Sequence, residues 1–185
     1  PETNLRWTLP SPNMPSYTTA LVYPGMCLLE GTSLSEGRGT TRPFELIGAP
    51  FFNWEEIEKE YRHQSKSLKL SPVTFLRQGF IPTFHKYSGE LCKGAIQFVE
   101  RPKAFLPLRH MTLLLWIFRK LYGNAWSWKQ PPYEYEYDKL PIDILAGGPA
   151  LRETVDGGLS LKTLFKAWSN DEVEFKKLRR PHLLY

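Results

Sequence analysis

The sequence has no hydrophobic run long enough to cross a bilayer. Its most apolar stretch, residues 111–118, is far shorter than the about eighteen apolar residues that a membrane helix needs. Residues 1–7 also lack the basic start and apolar core of a secretion signal. A membrane span is therefore not predicted, and we expect any export signal to lie upstream of this chain.

Cysteine and histidine are both scarce, which limits metal and redox chemistry. The two cysteines, Cys27 and Cys92, cannot form a zinc site by themselves, and each has apolar neighbours in the sequence. They are either buried thiols or, in an exported protein, a disulfide pair whose geometry the sequence does not supply. The histidines show no metal-ligand spacing. We therefore predict no metal and no other cofactor.

Composition and charge are those of an ordinary globular domain. Of 185 residues, 42% are hydrophobic and 23% are charged, so a single domain is expected over residues 1–185. The net charge is +5, but the positive residues are dispersed apart from a cluster at residues 176–180. That cluster suits a solvated helix face, because it lacks the interleaved aromatic residues of a nucleic-acid-binding patch. Nucleic acid is not predicted as a partner.

Frequent prolines and glycines divide the chain into short elements with irregular connections. Apolar spacing predicts a core helix over residues 107–122, which Gly123 ends, and Asn53 is a candidate N-cap for a helix over residues 54–64. Less regular patterns predict helices over 17–23, 148–155 and 160–178, the last of them capped by Ser160. They also predict strands over 73–77 and 95–100 and an extended segment over 133–137. Strands without regular βαβ alternation indicate an α+β domain with a mixed or antiparallel sheet packed by helices.

Residues 30–44 have the composition of a binding loop. They contain two carboxylates, two arginines, five hydroxyl groups and three glycines. Neither helical periodicity nor strict alternation is present, and glycine permits left-handed backbone and close approaches that other residues resist. We predict a solvated loop lined with polar groups. A nucleotide phosphate loop is disfavoured, because the GxxxxGK[ST] pattern between a strand and a helix is missing.

Short motifs along nearly the whole chain carry a family resemblance. They are Pro-Ser-Pro-Asn-Met-Pro at 10–15, Tyr-Pro-Gly at 23–25, Glu-Gly-Thr at 30–32, Ser-Glu-Gly-Arg-Gly-Thr-Thr at 35–41, Pro-Phe through Gly-Ala-Pro at 43–50, Phe-Ile-Pro-Thr-Phe-His-Lys-Tyr at 80–87, Cys-Lys-Gly at 92–94 and Leu-Leu-Tyr at 183–185. In these motifs the chain resembles the exo-β-N-acetylmuramidase (NamZ-like) family of bacterial peptidoglycan glycosidases. Members of that family carry a Rossmann-like half before the part seen here, so the resemblance implies a C-terminal half.

The resemblance also implies a function. The expected enzyme is a glycoside hydrolase that releases terminal non-reducing N-acetylmuramic acid from peptidoglycan fragments, and this half is expected to line an interdomain cleft. Its implied partners are a muramic acid-containing glycan and the absent N-terminal half, in the periplasm or cell envelope. The isolated chain is expected to be inactive. The alternative is a noncatalytic glycan-binding or interaction domain of a cell-envelope protein.

Glu36 and Glu30 are the candidate catalytic carboxylates. Glycosidases use one carboxyl group as proton donor and usually a second as base or nucleophile. The alternative is that the two glutamates accept backbone N–H groups or pair with Arg38 to hold the loop in shape. A muramic acid substrate could instead use its own acetamido group as nucleophile, and the family's other half has an acidic motif of its own. Glu36 is therefore predicted as a site residue before a proton donor.

Arg38 is the candidate specificity residue. N-acetylmuramic acid differs from N-acetylglucosamine by a lactyl carboxylate, which a guanidinium matches bidentately. The competing interpretation is an internal salt bridge from Arg38 to Glu36 or Glu30. The other candidates for substrate binding are side chains whose individual evidence is weak: Asn13, Thr32, Thr40, Thr41, His85 and Tyr87. For His85 a structural or solvent-facing role is the alternative.

Overall fold

A computed structural model describes residues 6–184, so residues 1–5 and the final Tyr185 of the Leu-Leu-Tyr motif lie outside the described part. The α-helices within it are α1 (Tyr17–Met26), α2 (Trp54–Ser67), α3 (Pro107–Tyr122), α4 (Pro141–Leu145), α5 (Ala150–Val155) and α6 (Leu161–Arg179). The strands are β1 (Leu46–Ala49), β2 (Val73–Phe80) and β3 (Cys92–Val99). Short 3₁₀ helices cover Cys27–Gly31, Pro102–Ala104, Gly123–Ala125 and Arg180–His182. The α+β prediction is confirmed.

The strands form one antiparallel sheet in the order β1-β3-β2. β2 and β3 make a hairpin whose register pairs Val73 with Val99 and Phe80 with Cys92, and β1 pairs with the opposite edge of β3. Both predicted strands are confirmed, and both extend further toward the connecting loop than predicted. Of the two predicted sheet types, the antiparallel one is correct.

The core helix α3 is confirmed at both ends. Gly123 follows it with a left-handed backbone (φ 52°), which stops the helix. Helix α1 crosses α3 so closely that a Cβ on Gly25 would lie 2.1 Å from the carbonyl oxygen of Pro107. Only glycine fits at this crossing, and α1 therefore brings the loop that follows it onto the core.

Two more helices begin at their predicted caps. At the start of α2 the Asn53 side chain accepts a hydrogen bond from Glu55 N (3.1 Å), and at the start of α6 the Ser160 hydroxyl accepts one from Thr163 N (3.1 Å). Helix α1 continues three residues past its predicted end at Tyr23, while α5 starts two residues later than predicted. Capping residues thus located the helices better than periodicity located their ends.

The predicted extended segment at residues 133–137 is wrong. Tyr133 and Glu136 exchange backbone hydrogen bonds of 2.9 and 3.0 Å across a tight turn, with Glu134 in left-handed backbone (φ 52°). The Tyr and Glu alternation favoured a strand, but this segment pairs with itself. Strand β1 and helix α4 were not predicted, because the four residues of β1 are all buried and show no alternation, and α4 has only five residues.

A chain of neutral polar groups crosses the core and supports the loop of residues 30–44. His110 bonds Tyr61 Oη (2.7 Å) through Nδ1 and Gln97 Oε1 (2.8 Å) through Nε2. Gln97 Nε2 then donates to the carbonyl oxygen of Phe44 (3.1 Å). Burial lowers the pKa of His110 to about 3, so this histidine is a neutral structural residue.

Both cysteines are free thiols, so the disulfide alternative is not found. Burial raises the pKa of Cys92 to about 11 and also raises the pKa of the half-buried Cys27. No helix in residues 6–184 is long and apolar enough to cross a membrane. The same residues contain no group of three or more side chains placed to hold a metal ion.

Candidate functional site

The loop of residues 30–44 packs against a second loop, residues 81–89. Gly39 has left-handed backbone (φ 81°), and a Cβ at this position would lie 2.7 Å from the carbonyl oxygen of Phe84. The carbonyl oxygen of Gly39 accepts hydrogen bonds from Thr83 N (2.9 Å) and Thr83 Oγ1 (3.0 Å). Glycine therefore provides the close approach between backbones that the sequence predicted.

Lys86 joins the two loops through its ammonium group. Its Nζ donates to the carbonyl oxygens of Leu29 (2.6 Å) and Leu34 (2.9 Å) and to Glu36 Oε2 (2.9 Å). These three acceptors use all the donors that a lysine has. Burial lowers the pKa of Lys86, and the Glu36 carboxylate opposes that shift.

Glu36 is buried at the centre of this polar cluster, with a side chain that is 1% exposed. Its Oε1 atom lies 3.4 Å from Arg38 Nε and 3.4 Å from His85 Nδ1. Nevertheless this oxygen accepts no hydrogen bond of acceptable geometry from the described residues. A buried polar atom in that condition is uncommon in native proteins and invites a functional explanation. We call Glu36, Lys86, His85 and Arg38 the Glu36 cluster.

Arg38 is engaged within its own loop. Its Nη2 lies 2.5 Å from Glu30 Oε1, and its Cζ lies 5.0 Å from the centre of the Phe44 ring. The other oxygen of Glu30 accepts a hydrogen bond from the Tyr133 hydroxyl (3.0 Å). Burial and the Glu30 charge raise the pKa of Tyr133. Of the two interpretations of Arg38, the internal salt bridge is therefore the one observed.

A hollow of about 570 Å³ adjoins the Glu36 cluster. It is lined by residues 32–33, 85–87 and 127–130, and we call it the Lys86 groove. Lys86 and His85 belong both to the groove lining and to the Glu36 cluster. His85 and Tyr87 have left-handed backbone (φ 72° and 56°), a conformation that costs energy in residues with side chains and that clusters at functional sites.

The predicted site residues divide into two sets. Those that line the groove are Thr32, His85 and Tyr87. Those outside its lining are Glu30, Glu36, Arg38, Asn13, Thr40 and Thr41. The Thr32 hydroxyl donates to the carbonyl oxygen of Leu29 (2.8 Å) and the Thr40 hydroxyl to that of Gly37 (2.6 Å). Both hydroxyls therefore stabilise local backbone turns.

The sequence profile described as "Exo-beta-N-acetylmuramidase NamZ, C-terminal" matches residues 21–185, which include both loops and the whole groove lining. The chain belongs to this family. The resemblance drawn from the motifs is thus confirmed.

The relatives of this NamZ C-terminal domain are longer proteins. The chain is 36% identical over 185 residues to the peptidoglycan β-N-acetylmuramidase NamZ of Bacillus subtilis (strain 168), and the alignment covers 100% of this chain but 42% of that protein. Two crystal structures of DUF1343 family proteins from Bacteroides fragilis NCTC 9343 share the fold. One has a TM-score of 0.78 and 20% identity, over 98% of this chain and 46% of its own. The other has a TM-score of 0.61 and 24% identity, over 95% of this chain and 43% of its own.

The far wall of the groove in this NamZ C-terminal domain is a segment that the sequence did not single out. Backbone bonds attach it to the loop of residues 30–44, including one from Lys129 N to the carbonyl oxygen of Gly31 (2.8 Å). Trp128 donates its indole N–H to Asp156 Oδ2 (2.9 Å) and lies 5.5 Å from the guanidinium of Arg119. The Trp128 ring is therefore held in one orientation.

Four residues of this region were not predicted from the sequence, and only one of them lay beside a usable sequence signal. Lys86 lies in a motif of the family resemblance, between two residues that were predicted, so its position was a usable signal. Trp128, Lys129 and Tyr133 gave none, because they are distant in sequence from the loop of residues 30–44. They reach it through tertiary pairing, such as the antiparallel bridge between Thr32 and Trp128.

Proposed function

We propose that this chain is the C-terminal part of an exo-acting peptidoglycan β-N-acetylmuramidase that releases terminal non-reducing N-acetylmuramic acid. In this proposal the Lys86 groove is one wall of the sugar-binding cleft. The supporting observation is that Lys86 and His85 connect a groove of about 570 Å³, within the range of ligand pockets, to the buried Glu36, in a chain of the NamZ family. The proposed place of action is the cell envelope.

We assign the remainder of the cleft to a further part of the protein. The chain spans less than half the length of the Bacillus subtilis relative, so an N-terminal part of similar or greater size completes the enzyme in this proposal. Such a part would close the groove opposite Trp128, and an interface between domains is a common place for a ligand site.

Glu36 and Glu30 are proposed as site residues with positioning roles. Glu36 is 1% exposed and contacts Lys86 and His85, so it fixes the side chains that line the groove. Glu30 holds Arg38 and Tyr133 in the same way. The proton donor to the glycosidic oxygen then belongs to the other part of the protein, since both glutamates of this loop are already paired.

Hydrolysis of chromogenic glycosides tests the proposal. We expect the complete protein to release chromophore from an N-acetylmuramic acid glycoside and to act poorly on the matched N-acetylglucosamine glycoside. The 185-residue chain by itself should release none from either, because half of the cleft is missing. Release by the chain alone would contradict the assignment, and so would equal rates of the complete protein on the two glycosides.

A noncatalytic glycan-binding domain is the second candidate, and one observation favours it. Both glutamates of the loop are paired with cations, as in a loop that carboxylates merely stabilise. Under this function the domain holds the glycan while all the catalytic groups, and those that position them, lie elsewhere. Neutralising Glu36 would then leave the turnover of the complete protein unchanged.

A further inference from the structure

The lining of the Lys86 groove carries positive charge and no negative charge. Its charged or titratable cations are Lys86, Lys129 and His85, and the lining contains no aspartate or glutamate. The two lysines also affect each other: burial is the main cause that lowers the pKa of Lys86, and the Lys129 charge adds to it. A groove of this kind favours an anionic ligand.

Of these cations, Lys129 is the one with unused charge. The Lys86 ammonium is saturated by two carbonyl oxygens and Glu36. The exposed Lys129 has no carboxylate at ion-pair distance in the described part of the chain, and its Nζ lies 5.5 Å from the centre of the Tyr133 ring. That contact holds the ammonium loosely and leaves its three donors available.

The position of Lys129 is set by the backbone. Its own N–H is bound to Gly31, and the preceding residue, Trp128, forms an antiparallel bridge with Thr32. Both residues contribute to the groove lining: Trp128, whose indole N–H is bound to Asp156, and Lys129, whose ammonium has no carboxylate partner in the described residues. Sugar rings stack their C–H faces on such aromatic surfaces, while an ammonium binds a carboxylate.

We propose that Lys129 is the specificity-determining residue of the Lys86 groove and binds the carboxylate of an acidic amino sugar, with Trp128 stacking on the sugar ring. Arg38, the cation that the sequence favoured for this role, is paired with Glu30 and Glu36. This inference deepens the proposed function and rests on it for the identity of the sugar. It makes substrate selection a property of this half of the protein.

Titration calorimetry with two monosaccharides tests the inference without any hydrolysis. N-acetylmuramic acid carries the lactyl carboxylate and N-acetylglucosamine lacks it, so the ratio of their affinities measures carboxylate recognition. For the 185-residue chain we expect a preference of about fivefold for the acid at low salt, which falls as salt is added. Lys129→Met should abolish the preference, and Lys129→Arg should restore most of it.

A matched variant controls for net charge. Lys103 is exposed and lies outside the groove, so Lys103→Met removes the same charge and should keep the preference. The inference is overturned if Lys129→Met keeps the preference for the acidic sugar or weakens the binding of both sugars equally. It is also overturned if the unmodified chain has no such preference. Loss of hydrolysis in the complete protein with the preference intact would instead count against the proposed function only.

Discussion

Two buried glutamates, Glu36 and Glu45, have the same exposure but different surroundings. Both side chains are 1% exposed, and each lies beside an arginine near it in sequence. In Glu45, Oε1 accepts hydrogen bonds from Ser16 Oγ (2.9 Å) and Thr19 Oγ1 (2.6 Å), and Oε2 accepts one from Arg42 (3.0 Å). Both of its oxygens are therefore satisfied.

Glu36 is satisfied at one oxygen only. Lys86 bonds its Oε2, whereas Oε1 has cations nearby and no hydrogen bond. Lys86 and His85, the neighbours of Glu36, also line the Lys86 groove, whereas the neighbours of Glu45 are not part of that lining. Burial and charge pairing are thus common to both carboxylates. What separates them is incomplete hydrogen bonding beside a groove.

The largest effect on stability is expected for Lys86→Met. This change leaves the buried Glu36 carboxylate and two carbonyl oxygens without their ammonium donor, which should lower the free energy of unfolding by about 3 kcal/mol. Urea denaturation followed by tryptophan fluorescence would measure it. Lys120→Met is the matched control, because Lys120 pairs with Glu60 at the surface (2.7 Å) and should cost less than about 1 kcal/mol. Equal losses in the two variants would remove the distinction between the Glu36 cluster and a surface ion pair.

A smaller loss of stability is expected for Gly39→Ala, a change that should push the loops of residues 30–44 and 81–89 apart. Both Gly39 and Gly89 have left-handed backbone (φ 81° and 78°), but only a Cβ on Gly39 meets another backbone, while a Cβ on Gly89 has nothing within 4 Å. The free energy of unfolding should fall by about 1 kcal/mol in Gly89→Ala and by about 2 kcal/mol in Gly39→Ala.

The same two glycine variants should also differ in their affinity for sugar. Gly39→Ala displaces the loop that carries Lys86 and His85, so it should weaken sugar binding in the Lys86 groove, while Gly89→Ala should not. Calorimetry on the two variants would measure it. An unchanged affinity in Gly39→Ala would show that the groove does not depend on the contact between the loops.

Features set by neighbours in the sequence could be predicted. The Asn53 side chain accepts a hydrogen bond from the first turn of α2, and the left-handed backbone of Gly123 ends α3. The strands β2 and β3 were located by β-branched and aromatic residues, but the sheet partner β1 was not, since a fully buried strand of four residues has no alternation.

The site could be predicted only in part, because it is assembled from distant segments. Glu36 and His85 were both named from the sequence, yet the residue that groups them, Lys86, lies 50 positions from Glu36. Nothing local shows that a lysine will be buried against a particular carboxylate. The Trp128 wall depends in the same way on pairing across the fold. The ion pair between Arg38 and Glu30 joins residues only eight positions apart, and it was one of the two alternatives that the sequence left open for Arg38.

The most direct test compares Glu36→Gln with Glu45→Gln in the complete protein. Both changes neutralise a carboxylate that is 1% exposed, so both should lower the free energy of unfolding by a similar amount, about 1 to 2 kcal/mol. Hydrolysis of an N-acetylmuramic acid glycoside should separate them: kcat/KM falls by about tenfold or more in Glu36→Gln, because Lys86 and His85 lose their fixed positions. It stays near the unmodified value in Glu45→Gln. Equal kcat/KM in the two variants would contradict a functional role for the Glu36 cluster and leave it a structural one.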